Sequence, residues 1–289
     1  MPRSGRPGRL AGHLSGRLFD DPEVAAQIER LPIEFNGYGV DPFGVSRRSL
    51  LRFYSTLAPI YRRYLKVSVF GGEHVPARSR GLIIGNHSGG IGMDALMLFH
   101  ALLVNEPPRL AHAMAEYFFS TTPFAGMMLN RVGHLTGLPQ HAKLLLEAER
   151  LVVAFPEGTR GALKPYSKAY QLQRFGTGFM RLALRHRAPI VPFAFIGAEE
   201  AFPILTHLEL TSKLLGTPPL PIAPQLALWP LPVSCQIHFG EPMVFPGDGR
   251  ETEAVIDSYV EEVREAIAGL IDRGLSMRPR PFTTSRVEE

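Results

Sequence analysis

Short runs rich in Val, Ile, Leu and Phe recur along this chain, at Val67–Phe70, Gly81–Gly85, Leu110–Met114, Leu151–Phe155, Ile190–Ile196 and Ser234–Phe239. Their β-branched and aromatic content, and the turn residues around them, predict strands. Between these runs, Met93–Leu103, Glu116–Leu129, His141–Arg150 and Phe175–Arg187 read as helices. Val255, Tyr259, Val263, Ile267 and Ile271 repeat every fourth residue and predict a last long helix over Glu251–Ile271. Strands alternating with helices predict an α/β fold, a mostly parallel central sheet flanked by helices. Binding sites in such sheets lie outside the carboxyl ends of the strands.

The pattern is different ahead of the first strand. Asp21-Pro22-Glu23 opens a short helix that stops near Leu31-Pro32, and Asn36-Gly37-Tyr38-Gly39 and Asp41-Pro42 are turn sequences. Ser46 then caps a second helix reaching Lys66, with Leu50, Tyr54, Leu57, Tyr61 and Tyr64 along one stripe. Pro59 is expected to kink it. Arg47, Arg48, Arg52, Arg62, Arg63 and Lys66 charge it, and no acid occurs between Asp41 and Glu73. An amphipathic helix of this kind has two uses. Its stripe lies in a membrane interface with the cations on anionic headgroups, or the stripe packs into the core and the basic face meets water. The resulting division is a disordered basic tail over 1–18, an N-terminal helical membrane-surface segment over 19–66, an α/β domain over 67–275 and a C-terminal tail over 276–289.

Composition narrows the classes. The 289 residues are 45% hydrophobic and 20% charged, an ordinary globular balance. Cys235 is the single cysteine, which excludes an internal disulfide and favours a reducing compartment. It reads as a small apolar residue buried in a strand. No run approaches the roughly 20 apolar residues of a membrane span. Ala95–Val104, the longest apolar run, is interrupted by His100. Arg3, Arg6 and Arg9 have no apolar stretch behind them, so a secretory signal is not expected. The net charge of +4 is mild for a nucleic-acid binder, and no nucleic-acid partner is expected.

Two constellations carry chemistry, each at the end of an apolar strand. In Gly85-Asn86-His87-Ser88-Gly89-Gly90-Ile91-Gly92-Met93-Asp94, a histidine flanked by glycines precedes an acid at a helix start. His87 has the proton affinity of a general base, and Asp94 is placed to fix its tautomer, the logic of a triad without a protein nucleophile. The plainer alternative is a turn histidine with Asp94 serving the helix N-terminus. In Phe155-Pro156-Glu157-Gly158-Thr159-Arg160-Gly161, Glu157 and Arg160 either pair with each other or recognise an anionic or hydroxylic head group. Lys164 and Lys168 extend the positive field.

Taken in order, Asn86-His87 with Asp94, Phe155-Pro156-Glu157-Gly158-Thr159-Arg160, and Val191-Pro192 leading to Gly197 resemble the motif set of the lysophospholipid and glycerolipid acyltransferase superfamily. The resemblance runs from about Lys66 to Pro246. It implies catalysis by His87 and Asp94, acceptor binding by Glu157 and Arg160, and an acyl-donor site shaped by Val191 and Pro192. Asn86, Ser88, Gly89, Gly90, Gly158, Thr159, Lys164 and Lys168 complete the expected substrate-binding set. Two departures stand out. Six residues separate His87 from Asp94, two more than the family's usual spacing, as in its branch resembling monoacylglycerol and diacylglycerol acyltransferases. Gly133-His134-Leu135-Thr136-Gly137, at the place of the second motif, lacks that motif's arginine.

The implied enzyme is an O-acyltransferase of phospholipid or glycerolipid biosynthesis or remodelling, peripheral on the cytoplasmic face of a membrane. Its acyl donor would be acyl-CoA or acyl-carrier protein, its acceptor a lysolipid or other glycerolipid, with neither a metal nor a resident cofactor expected. The proline-rich yet apolar stretch within 203–233, Leu214 to Pro224, is either a structural crossing or part of an acyl-chain or membrane contact. Competing classes find less support. A serine hydrolase wants a G-x-S-x-G elbow, which is absent. A metal hydrolase would need partners such as His112 or His134 for His87 and Asp94, and no H-x-x-x-H pair occurs. A non-catalytic membrane or nucleic-acid binding module would be inert toward thioesters and esters.

Overall fold

The computed structural model describes residues 20–89, 92–115, 125–208, 220–222 and 229–278. The expected tail over 1–18, residues 279–289, most of the helix expected over Glu116–Leu129, and most of Leu214 to Pro224 therefore lie outside the described residues.

Two helices come first, α1 (Pro22–Glu29) and α2 (Arg47–Pro59). Asp21 caps α1 by accepting the Glu23 and Val24 N–H groups, and Ser46 caps α2 by accepting from Ser49. At Pro59, which has no N–H to donate, the α-helical ladder ends and a π-turn over Ile60–Tyr64 takes over. Then follow β1 (Ser68–Phe70), β2 (Gly81–Gly85), α3 (Met93–Val104), β3 (Ala111–Ala115), α4 (Ala125–Arg131), β4 (Leu135–Thr136), α5 (Pro139–Glu147) and β5 (Leu151–Ala154). The chain continues through α6 (Thr159–Ala162), α7 (Gly178–His186), β6 (Ile190–Ile196), α8 (Ala198–Ala201), β7 (Thr206–Leu208), β8 (Leu220–Ile222), β9 (Gln236–Phe239) and α9 (Glu253–Met277). The last helix extends past the expected end of the domain at 275.

Among the described residues, seven strands form one sheet in the order β1-β9-β6-β2-β5-β3-β4, and β7 pairs with β8 separately. β6, β2, β5, β3 and β4 run parallel, whereas β9 is antiparallel to β6 and carries β1 alongside it. Both faces are buried, by alternation along each strand. Ile83, Val153, Val191, Phe193 and Phe195 face the cluster built by α2 and α3. Leu82, Ile84, Val152, Ile190, Ala194 and Ile196 face the cluster built by α5, α7 and α9.

The stripe on α2 is part of this core. Leu50 and Tyr54 are fully buried, and Leu57 and Tyr61 nearly so, within the cluster that covers the sheet. The structure therefore corrects the interfacial alternative for this face: those rings meet protein. The charges stay outside. Arg47 pairs with Glu29 at 2.9 Å, and Arg62 with Asp21 and Glu23 at 2.8 and 2.9 Å. Arg48, Arg52, Arg63 and Lys66 are exposed.

Three histidines sit in the same core. His100 lies against Tyr54 and Tyr61, His112 against Phe43, and His134 against Phe53 and Phe99. Burial pushes their pKa values down to about 4, about 3 and about 4, helped at His100 by Arg62 and at His112 by Arg150. The folded chain keeps them neutral while the unfolded chain takes up protons below pH 6.5, so stability falls as the pH drops from there toward 4. Each histidine that stays neutral contributes a slope approaching about 1.4 kcal/mol per pH unit. The urea midpoint is expected to fall steadily across that window, and a flat midpoint would contradict the buried neutral state.

Candidate active site

Three adjacent parallel strands, β6, β2 and β5, end together, and the loop after each contributes to one cluster. The loop after β2 carries His87, that after β5 carries Glu157, and Gly197 with the short helix α8, which bears Glu199 and Glu200, follows β6. This is the edge at which open α/β sheets place ligands.

His87 Nδ1 lies 2.7 Å from Asp94 Oδ2. Asp94 is fully buried, and the same oxygen accepts the Ser88 N–H at 2.8 Å while Oδ1 accepts from Ala95. A carboxylate so placed holds the proton on Nδ1 and leaves the lone pair on Nε2. The extra length between His87 and Asp94 is absorbed by left-handed turns at Gly89 (φ 79°) and Gly92 (φ 76°), positions where a side chain would be strained. Gly90 lies outside the described residues. The imidazole stacks on Phe155, with ring centroids 4.2 Å apart. Burial lowers the His87 pKa, but the charge and hydrogen bond of Asp94, with Glu157 behind, outweigh it, and the net shift is upward.

Asn86 is a brace. Its amide donates to the Phe195 carbonyl at 3.0 Å and accepts the Phe195 N–H at 2.8 Å, locking the end of β2 to β6. Ser88 is buried, and its hydroxyl has no hydrogen-bond partner among the described residues.

Glu157 and Arg160 do not pair. Glu157 is buried, and its carboxylate accepts the His87 N–H at 2.9 Å and the Gln173 N–H at 2.6 Å. Arg160 points outward and donates to the Arg174 carbonyl at 3.3 Å. Gly158 (φ 58°) has open space where a Cβ would stand, and Thr159 opens α6 beside it. Lys168 is exposed. Lys164 is not, because its ammonium is buried against Glu199 at 3.2 Å. Val191 and Pro192 lie inside β6, between β2 and the segment that follows β9, where the Pro192 carbonyl accepts the Gly240 N–H. They reach the loop cluster through the strand and not by direct exposure.

The sequence pattern missed Phe155 as a ring support and Glu199 as a partner. A signal for Glu199 exists. Two acids in the otherwise apolar stretch Phe193 to Phe202 must find cations or hydrogen bonds if they are buried. The second-motif segment contributes no cation: Gly133 turns at φ 95°, its carbonyl bonds His112 at 2.8 Å, and His134 is buried. No cluster of three His, Cys, Asp or Glu able to hold a metal ion occurs among the described residues. No helix there is long and apolar enough to cross a membrane.

The model of the acyltransferase family matches residues 66–196. An uncharacterized protein of Mycobacterium tuberculosis (strain ATCC 25618 / H37Rv) is 35% identical over 287 residues, covering 94% of this chain and 75% of its own length. A human protein described as a DGAT1/2-independent enzyme synthesizing storage lipids is 24% identical over 231 residues, covering 79% of this chain and 67% of its own. Among solved structures, the 1-acyl-sn-glycerophosphate (LPA) acyltransferase PlsC from Thermotoga maritima aligns at a TM-score of 0.48 and 18% identity, over 77% of this chain and 86% of that one. The chain carries an acyltransferase-family domain over residues 66–196 and is an acyltransferase.

Proposed function

We propose that the protein moves a fatty acyl group from an acyl thioester, acyl-CoA or acyl-carrier protein, to a hydroxyl of a glycerolipid at a membrane surface. The bond between His87 and Asp94 at the carboxyl edge of the sheet is the observation that carries this reading. His87 Nε2 takes the proton of the acceptor hydroxyl as that oxygen attacks the thioester carbonyl. The tetrahedral intermediate then expels the thiolate, which takes the proton back from the imidazolium. Asp94 holds the tautomer and stabilises the imidazolium between the two transfers. No acyl-enzyme is formed. Aligning two bound substrates supplies a further large part of the rate.

The acceptor follows from the cations that remain. The second-motif segment has none, and Lys164 is spent on Glu199. Arg160 and Lys168 are exposed. A phosphomonoester needs more neutralisation than a diester or a bare glycerol hydroxyl, and each lost charge-assisted contact is worth about 1.5–3 kcal/mol. A lysophospholipid or neutral monoacyl lipid is therefore the preferred acceptor over lysophosphatidic acid. The similarity to a storage-lipid enzyme supports the same direction. The exposed Arg48, Arg52, Arg63 and Lys66 support contact with anionic lipid, by about 1 kcal/mol per cation near the surface.

The test is to supply a long-chain acyl-CoA with monoacylglycerol, lysophosphatidylcholine or lysophosphatidic acid in vesicles, and to read free thiol and product mass. The first two are expected to give the higher kcat/KM, with Arg160→Ala impairing the phosphate-bearing acceptors more than the neutral one. A clear preference for lysophosphatidic acid would overturn the acceptor assignment, and no thiol release with any acceptor would overturn the reaction.

A further inference from the structure

His87 is gripped through its backbone as well as through its ring. Its N–H donates to Glu157 at 2.9 Å, and its carbonyl accepts from Lys164 Nζ at 3.4 Å. A lysine leaves water only when it is paired. The Lys164 side chain is 2% exposed and that of its partner Glu199 is 4%. The same Glu199 oxygen accepts the Tyr170 N–H at 3.3 Å. The neighbouring acid, Glu200, is held by Arg278 at 2.6 Å and by the Tyr170 hydroxyl, and that hydroxyl accepts the Gly197 N–H at 2.9 Å. Each acid of α8 is thus matched to a cation from a different element.

The loops touch closely here. A Cβ at Gly161 would stand 2.6 Å from Glu157 Cβ and 3.0 Å from the His87 carbonyl oxygen. A Cβ at Gly89 would stand 3.2 Å from that of Ala198. The loops after β2, β5 and β6 meet at the His87 peptide, and Lys164 with Glu199 joins the second of them to the third. The loop after His87 contains Gly89 and Gly92, which restrain it little. The Asp94 contact fixes the imidazole's distance to one carboxylate, but aiming Nε2 also needs a fixed backbone.

We infer that Lys164, held in place by Glu199, is a positioning residue that clamps the His87 carbonyl opposite Glu157 and so aims the imidazole. This rests on the reading of His87 as the general base. The ammonium also acts through space. It disfavours the protonated imidazole, against the larger opposite influence of Asp94 and that of Glu157.

The experiment compares His87→Ala, Lys164→Met, Glu199→Gln and the Lys164→Met/Glu199→Gln double variant in the full chain, with oleoyl-CoA and monoacylglycerol vesicles. Lys164→Met alone strands a buried carboxylate and is expected to unfold more easily. The double variant removes both charges, which buried pairs often tolerate, so it keeps the inference testable if the single variant fails to fold. In the double variant kcat is expected to fall about 10–100-fold, the scale of a misaimed catalytic group, with KM and Tm close to wild type. The acid limb of the kcat/KM profile is expected to move to higher pH in Lys164→Met and to lower pH in Glu199→Gln. A purely structural pair would change Tm and leave both the limb and kcat alone. If His87→Ala is inactive while the double variant keeps wild-type kcat and both limbs stay put, the clamp is wrong and the base stands. If His87→Ala keeps its turnover, both fall.

Discussion

Replacing His87 with alanine is expected to lower turnover about 10²–10⁴-fold, the usual contribution of a positioned base, with Tm near wild type. The imidazole is partly open to solvent and its ring bonds only Asp94 among the described residues, so its loss leaves one carboxylate to reorganise. The pH profile gives the assignment a sign. Only the neutral imidazole accepts the acceptor's proton, and its pKa is shifted upward, so kcat/KM should rise through an apparent pKa above 6.5. Asp94→Asn removes the charge that raises it. Burial then dominates, and the limb should move to lower pH while the plateau drops. Near-normal turnover in His87→Ala, or a limb unmoved by Asp94→Asn, would count against the dyad.

Glu157→Ala is expected to harm both fold and rate, and so to separate two roles for this residue. The carboxylate is closed off from solvent and accepts two backbone N–H groups, one of them from His87 itself. Alanine orphans both, at about 1–3 kcal/mol each, and frees the loops after β2 and β5 from one another. Tm and kcat should fall together, with the acceptor KM little changed. Glu157→Gln should lie between, since its amide keeps one acceptor oxygen and turns a donor toward the other N–H. A residue that contacts the acceptor directly would instead raise KM and leave Tm in place. That outcome would favour the acceptor-binding role which the motif resemblance implies.

The strands were legible because burial on both faces demands continuous Val, Ile and Phe, as in Ile190–Ile196. Their ends were less so. Pro139 at the first position of α5 moved that helix earlier than His141, and the β7–β8 pair lies in a segment whose prolines hide its pairing. The spacing of Leu50, Tyr54 and Leu57 predicts an amphipathic helix but does not say whether lipid or protein covers the stripe, since both are apolar. The juxtaposition of His87 and Asp94 could be anticipated because they flank one short connection between β2 and α3. Lys164 with Glu199 could not, because Lys164 reads as part of a positive field and the acids in the apolar stretch Phe193 to Phe202 do not say which cation meets them. Only the parallel order β6-β2-β5 brings their loops together.

The burial of the α2 stripe also bears on how such enzymes are divided and recombined. The family match begins at residue 66, which makes the start of β1 look like a natural seam. It is not one. Leu50, Tyr54, Leu57 and Tyr61 roof the sheet face that also holds Ile83, Val153 and Phe193. Cutting there would uncover that face to water and remove Asp41 and Arg30, the partners of Arg150 and Glu106, in the same stroke. A graft that carries the motifs from one relative to another must carry the preceding helices with them. Evolution faces the same constraint, since a change of roof requires matching changes in the sheet beneath it.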